Sequence, residues 1–264
     1  MAKQKRKYFA VADVHGFYDE MIAALNAAGF DKDNLNHILI NLGDAYDRGP
    51  ASNKVVKFLL DLPKERRVLI RGNHEDLLED IIKKNRIDSY DFTNGTVKTM
   101  AQFTGMSEFD PPEALIRETF YNPLYRQYHE ELIDFYETKL YVFVHGWIPC
   151  KTWNHWRADN HEFVRKYQYQ KDWREGDWRS AAWLNGMEAW NNGVNLYEKE
   201  GKTVFCGHWN ASYGWSKIAH MCKDQFGGDS INGPYVDYGI VALDACTVLT
   251  HKVNCYVAEE FIDE

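Results

Sequence analysis

The chain has 264 residues, 45% of them hydrophobic, and carries 39 acidic against 31 basic side chains for a formal net charge of −8. That length suits one large domain or two small ones. The acidic balance and the lack of a basic stripe exclude a generic binder of nucleic acid, while leaving room for a site that handles one phosphate through metal ions.

Predicted elements alternate along the first third of the chain. A strand at Lys7 to Asp13 precedes an amphipathic helix near Phe17 to Ala28, with Phe17, Met21, Leu25 and Ala28 on one face. A strand at His37 to Leu42 follows, and then a helix opening after Pro50 with Val55, Val56, Leu59 and Leu60 inward. A third strand, Arg67 to Ile70, leads to a helix carrying Leu77, Leu78, Ile81 and Ile82. This order predicts a largely parallel sheet with helical crossovers, and such sheets bind ligands beyond the carboxyl ends of their strands. Asp88 to Lys139 reads as a helical insertion broken at Pro111-Pro112 and Pro123, and a strand at Leu140 to Val144 resumes the sheet. Trp147 to Gly201 holds seven of the nine tryptophans and reads as a cap-like segment. Strands return at Thr203 to Cys206, Gly239 to Leu243 and Val253 to Val257, the last two expected as an antiparallel hairpin-like pair. The expectation is a single domain over residues 1–264, with insertions at about 88–139 and 147–201.

No apolar run reaches the roughly 18 to 20 residues of a membrane span. The basic start MAKQKRK runs straight into the strand YFAVADVH, unlike a secretory signal. Cys150, Cys206, Cys222, Cys246 and Cys255 lie far apart without a CxxC pair, so they read as reduced thiols. Together these features point to a cytoplasmic protein with no membrane partner.

The chemistry gathers at the strand ends. The first strand ends in Asp13-Val14-His15-Gly16, the second in Gly43-Asp44 and then Asp47-Arg48-Gly49, and the third in Gly72-Asn73-His74-Glu75. Later strands end in His145-Gly146 and Gly207-His208. One such ending is usually a capped turn. Five in order, each after an apolar run, place carboxylates and imidazoles side by side if the strands are neighbours, and the adjoining glycines permit close approach.

The order DVHG, GDAYDRG, RGNHE, VHG and GH resembles the calcineurin-like metallophosphoesterases, closest to their phosphoprotein phosphatase branch, which includes bacterial serine/threonine phosphatases and symmetrical diadenosine tetraphosphate hydrolases. The resemblance implies an α/β (α+β, four-layer) fold, a central β-sandwich flanked by helices, with two divalent metal ions at its edge. It implies that Asp13, His15 and His208 hold one ion, that Asp44 bridges both, and that Asn73 and His145 hold the other. Mixed oxygen and nitrogen ligands suit transition ions; family habit favours manganese, with iron, zinc or cobalt as alternatives. By the same resemblance, Arg48 grips phosphate with Asn73, Asp47 orients and charges His74, and His74 acts as general acid while a metal-bridging hydroxide attacks phosphorus directly.

Several positions stay open at this stage. Tyr46 stands where relatives carry a small aliphatic residue and either packs or faces substrate. The second phosphate-gripping arginine of relatives has no match in register, Asn185 standing near its place and Arg179 being the nearby candidate. Glu75 is either a catalytic acid or a first-turn acid favoured by the helix dipole. The tryptophans either pack the insertion to the sheet or stack on a nucleobase. His37, His129, His155, His161, His220 and His251 read as surface or structural. The expected activity is hydrolysis of phosphate monoesters, first as a serine/threonine protein phosphatase acting on phosphoproteins. The alternatives are a dinucleoside polyphosphate or nucleic-acid-end hydrolase acting on nucleotides, and a metal-binding interaction module without turnover.

Overall fold

A computed structural model describes residues 4–157 and 162–262, so His161 and the first three residues lie outside the described residues. The chain runs β1 (Gln4–Val11), α1 (Tyr18–Ala27), β2 (His37–Asn41), α2 (Ser52–Asp61), β3 (Arg67–Leu69) and α3 (Asn73–Lys84). Four helices fill the first insertion: α4 (Ser89–Asn94), α5 (Thr96–Thr104), α6 (Pro112–Tyr121) and α7 (Pro123–Glu131). Then come β4 (Tyr136–Glu137), β5 (Tyr141–Phe143), the paired β6 (Cys150–Arg157) and β7 (Glu162–Tyr169), and short helices α8 (Trp178–Ala181), α9 (Gly186–Asn191) and α10 (Leu196–Glu200). The chain closes with β8 (Thr203–Cys206), β9 (Tyr235–Asp237), β10 (Ile240–Ala242), α11 (Thr247–Thr250) and β11 (Cys255–Ile262). No helix among the described residues is long and apolar enough to cross a membrane.

Two sheets stack. One has the order β11-β1-β2-β3 and the other β4-β5-β8-β10-β9. In each the three strands that carry the motifs run parallel: β1, β2 and β3 in the first, β5, β8 and β10 in the second. Strand alternation assigns each side chain to a layer. Tyr8, Ala10, Ile38, Ile40 and Val68 meet Phe143, Phe205 and Val241 between the sheets. Phe9, Val11, Leu39 and Leu69 face the other way, onto helix residues such as Met21, Leu25, Val55 and Leu78. Val142, Val204 and Ile240 face Trp147, Trp173 and Leu196 on the far side. Both faces of these strands are therefore covered, which is why they read as unbroken apolar runs. Phe143 and Phe205, with ring centroids 4.8 Å apart, centre the inter-sheet layer, and each such burial stabilises the fold by about 2 kcal/mol.

The last two strands do not pair with each other. β10 lies parallel to β8 and antiparallel to β9, whereas β11 crosses to the first sheet and pairs with β1 from Gln4↔Ile262 to Val11↔Cys255. This corrects the hairpin expectation. Alternation shows that a strand has a buried face but not which strand lies beside it, and α11 with its flanking loop supplies the crossing. The second insertion also contains a long two-stranded ribbon, β6 with β7, that no hairpin signal in its sequence announced.

Helix starts follow their local chemistry. Pro112 and Pro123 occupy the first positions of α6 and α7, and the Asn122 side chain accepts the Leu124 N–H at 2.9 Å. The α7 end is held to β3 by a bidentate pair, Arg67 Nη2 to Glu131 Oε1 at 2.6 Å and Nε to Oε2 at 2.9 Å.

Glu75 fixes the two strand ends that matter most. Its Oε2 accepts the N–H groups of Asp44 and Gly72, both at 2.9 Å, and its Oε1 accepts the Ala45 N–H at 3.0 Å and the Tyr128 hydroxyl at 3.1 Å. Fully buried, it ties the end of β2 to the start of α3. Burial and the neighbouring Asp44 push its pKa up to about 7 against the pull of those N–H bonds. Glu75→Gln replaces one acceptor with a donor aimed at donors. It should lower unfolding stability by about 2 kcal/mol in urea denaturation; an unchanged midpoint would show that these bonds do not hold the strand ends.

Candidate active site

Backbone register delivers the site. Val11, Asn41 and Leu69 stand level at the carboxyl edge of the first sheet. Beyond them the chains still bond, His15 N–H to Asp44 O at 2.8 Å and Gly16 N–H to Ala45 O at 2.9 Å. In the second sheet Phe143, Phe205 and Val241 are level, and the chains run on through His145, Gly207-His208 and Asp244. Two bonds close the seam between the sheets: the His145 Nδ1–H donates to Leu42 O at 2.7 Å, and the His208 N–H donates to Asp13 Oδ2 at 2.8 Å.

The turns that present the side chains are strained. Asp13, His15, Asp44, Asp47, Arg48 and His208 all hold positive φ, between 49° and 71°, a region that costs a non-glycine residue roughly 1 to 3 kcal/mol. Gly72 shows how tightly they pack, since a Cβ there would lie 2.2 Å from Asp44 Oδ1.

A pocket of about 170 Å³ is lined by Asp13, His15, Asp44, Arg48, Asn73, His74 and His208, with Asp244 on its wall. His145 reaches the same centre from behind, its Nε2 lying 2.9 Å from Asn73 Oδ1 and 3.4 Å from Asp44 Oδ1. His74 Nδ1–H donates to Asp47 Oδ2 at 2.7 Å, and the hydroxyls of Thr96 and Thr99 donate to the same carboxylate at 2.7 Å each. Arg48 spans two imidazoles, Nη1 being 3.0 Å from His15 Nε2 and Nη2 3.0 Å from His74 Nε2.

The donor set fits divalent cations. Tyr46 O and Leu42 O can only accept, so the protons of His15 and His145 sit on Nδ1, leaving each Nε2 lone pair turned to the centre. For His145 that lone pair, Asn73 Oδ1 and Asp44 Oδ1 converge with no hydrogen to share, an arrangement a bound cation satisfies. His15, Asp44 and His74 bring ligand atoms within 4.8 Å of one another, as do Asp44, His145 and His208. Burial works against the Asp44 charge, but the imidazoles of His145, His74, His15 and His208 outweigh it and hold its pKa below the usual carboxylate range. Burial, with Asp244 and Asp44 nearby, pushes Asp13 well up. Burial and His145 lower His208 to about 3, so it presents a neutral imidazole that could serve as a ligand. For His74 burial opposes the charged form, yet Asp44 and Asp47 raise its pKa above the ordinary value.

The open positions divide. Tyr46 is fully buried, its hydroxyl 3.0 Å from His129 Nε2, and does not face the pocket. Arg179 lies outside the pocket lining, with Nη2 on Asp80 Oδ2 at 2.7 Å, and Asn185 is buried as the cap of α9. Trp147 and Trp173 are buried in the outer core and Trp178 and Trp190 pack against it, whereas Trp183 lines the pocket. Asp244, Tyr90 and Asn94 were missed as site residues. Asp244 carried the same signal as the others, an acid directly after the apolar run at Gly239 to Leu243; Tyr90 and Asn94 sit on α4 with no sequence signal to mark them.

Comparison with known proteins agrees with this architecture. Over 113 residues the chain is 32% identical to PrpE, an asymmetrical bis(5'-nucleosyl)-tetraphosphatase of Bacillus velezensis, covering 40% of this chain and 44% of that protein. Over 86 residues it is 38% identical to a symmetrical bis(5'-nucleosyl)-tetraphosphatase of Buchnera aphidicola, covering 31% of this chain and 30% of that one. The matches thus span less than half the length of these curated relatives. A cold-active protein-tyrosine phosphatase from a psychrophilic Shewanella shares the fold at a TM-score of 0.50 and 14% identity, over 98% of this chain and 80% of that one. Residues 6–247 match one family throughout, strand-end motifs included, and the chain therefore belongs to the calcineurin-like phosphoesterases, as a metallophosphoesterase-type hydrolase.

Proposed function

We propose that this chain hydrolyses dinucleoside polyphosphates of the diadenosine tetraphosphate kind. The observation that carries the reading is the charge of the pocket wall: among the lining residues Arg48 is the one lysine or arginine. A compact phosphoserine dianion is best held by two guanidinium forks. An extended polyphosphate spreads its charge and draws affinity from the groups at its ends. The named activities of the PrpE and Buchnera relatives favour the same substrate class over the phosphoprotein expected first from sequence. On this reading the chain works as one domain, with the 88–139 and 147–201 insertions walling the site.

Asp13, His15, Asp44, Asn73, His145 and His208 are the residues proposed to hold two divalent transition ions. This nitrogen and oxygen donor set suits manganese, iron, zinc or cobalt alike, and manganese is proposed from the family resemblance alone. When bound, such ions acidify water and neutralise phosphoryl charge. The protein's own groups do the rest. Arg48 turns its fork from the two imidazoles to phosphate oxygens, which frees His74 Nε2. That nitrogen, held protonable by Asp47 through Nδ1, then gives a proton to the departing oxygen. Thr96 and Thr99 keep the Asp47 carboxylate aimed at His74.

Three outcomes test this account. With manganese, kcat/KM for diadenosine tetraphosphate should exceed that for a phosphoserine peptide by at least about tenfold, which is 1.4 kcal/mol in transition-state binding; the reverse order would restore the phosphoprotein reading. Asp47→Asn removes the negative charge that raises the His74 pKa, so the alkaline limb of the kcat/KM profile should move to lower pH. A limb that stays in place would remove His74 as the acid. Asp44→Asn should lose at least one bound ion per chain by elemental analysis, and full metal content would take Asp44 out of the ligand set.

A further inference from the structure

Two exposed aromatic rings, on elements that the mechanism above does not use, stand on the wall of the pocket. Tyr90 lies on α4 and is 55% exposed, and Trp183 follows α8 and is 44% exposed, yet both line the same pocket as Arg48 and His74. Large exposed aromatics scattered singly are ordinary; two on the wall of one polar pocket are not.

Each ring is placed by the site itself. Gly95 directly follows α4, and a Cβ there would lie 2.3 Å from the Arg48 backbone nitrogen, so α4 is pressed against the turn that carries the guanidinium. Lys98 Nζ reinforces the contact by donating to Arg48 O at 3.2 Å. Tyr90 and Asn94 are one turn apart on this helix and share a face. The Asn94 amide Nδ2 is shielded from solvent and has no hydrogen-bond partner among the described residues, leaving a donor in want of an acceptor. Trp183 stands edge-on to the His208 ring, centroids 5.8 Å apart at 82°. The backbone just before it is fixed by the Trp147 N–H on Ala181 O at 3.1 Å.

We propose that Tyr90 and Trp183 form a clamp for the nucleobase of the substrate, with the Asn94 amide meeting a polar edge of the same nucleoside. This rests on the dinucleoside polyphosphate reading and names the part of that substrate which compensates for the single arginine. Stacking tolerates any base because every base offers a π face, so the clamp selects for the presence of a base and not for its identity.

The test is binding, measured by titration calorimetry on manganese-supplied protein with AMP and with ribose 5-phosphate, which lacks the base. The affinity ratio of AMP to ribose 5-phosphate should fall about tenfold in Trp183→Leu and in Tyr90→Leu, and Trp183→Phe should keep most of it. A ratio unchanged in both leucine variants overturns the clamp. Failure of the functional reading would show separately, as wild-type protein that leaves diadenosine tetraphosphate intact while still preferring AMP.

Discussion

Asp44 carries a negative charge where two sheets meet, and the surrounding structure is organised around keeping it there. A carboxylate taken out of water costs several kcal/mol unless charge and hydrogen bonds replace the solvent. Here the His74 backbone N–H donates to Oδ1 at 3.0 Å, and the His74 imidazole, its pKa raised, stands 3.9 Å away. His145 and His15, 3.4 and 3.7 Å from the Asp44 oxygens, turn lone pairs to the same centre, a set of charges and lone pairs that a bound cation would neutralise. Those imidazoles come from both sheets, so the environment of one carboxylate depends on the sandwich being closed. Asp13 also accepts an N–H from the opposite sheet, although burial and the nearby Asp244 and Asp44 push its pKa up.

The strained turns follow from the same demand. Aiming carboxylates and imidazoles at one point from the ends of parallel strands requires the chain to reverse within two or three residues, and left-handed backbone at Asp13, His15, Asp44, Asp47, Arg48 and His208 is how it does so. That conformation survives because the inter-sheet aromatic layer and the Glu75 bonds set the strand ends before the turns begin. Rigidity in the core is thus what allows unfavourable backbone at the rim.

Insertions then shape what the centre can accept. The first presses Gly95 against Arg48 and brings Tyr90 to the pocket; the second anchors on Trp147 and Trp173 and brings Trp183 to the same pocket. In the tryptophan-rich segment Trp147, Trp173, Trp178 and Trp190 pack against the sheet, and Trp183 lines the pocket. The long β6–β7 ribbon takes the exposed Trp153 and Trp156 away from that lining.

Sequence by itself determined where the chemistry lies along the chain. An apolar strand followed at once by glycine and a ligand-type residue is a local pattern, legible at Asp13, Gly43-Asp44, Asn73-His74, His145 and Gly207-His208, and it would have been legible at Asp244. Only the tertiary structure decided which strands are neighbours, sending β11 to β1 and not to β10. It also buried Tyr46 against His129, gave Arg179 to Asp80, and carried Tyr90 to the pocket. The division has one physical cause. Periodicity and turn chemistry act between residues a few positions apart, whereas pairing, burial and charge neutralisation are settled between residues far apart along the chain, as Tyr46 is from His129 and Arg179 from Asp80, and those contacts exist only once the chain has folded.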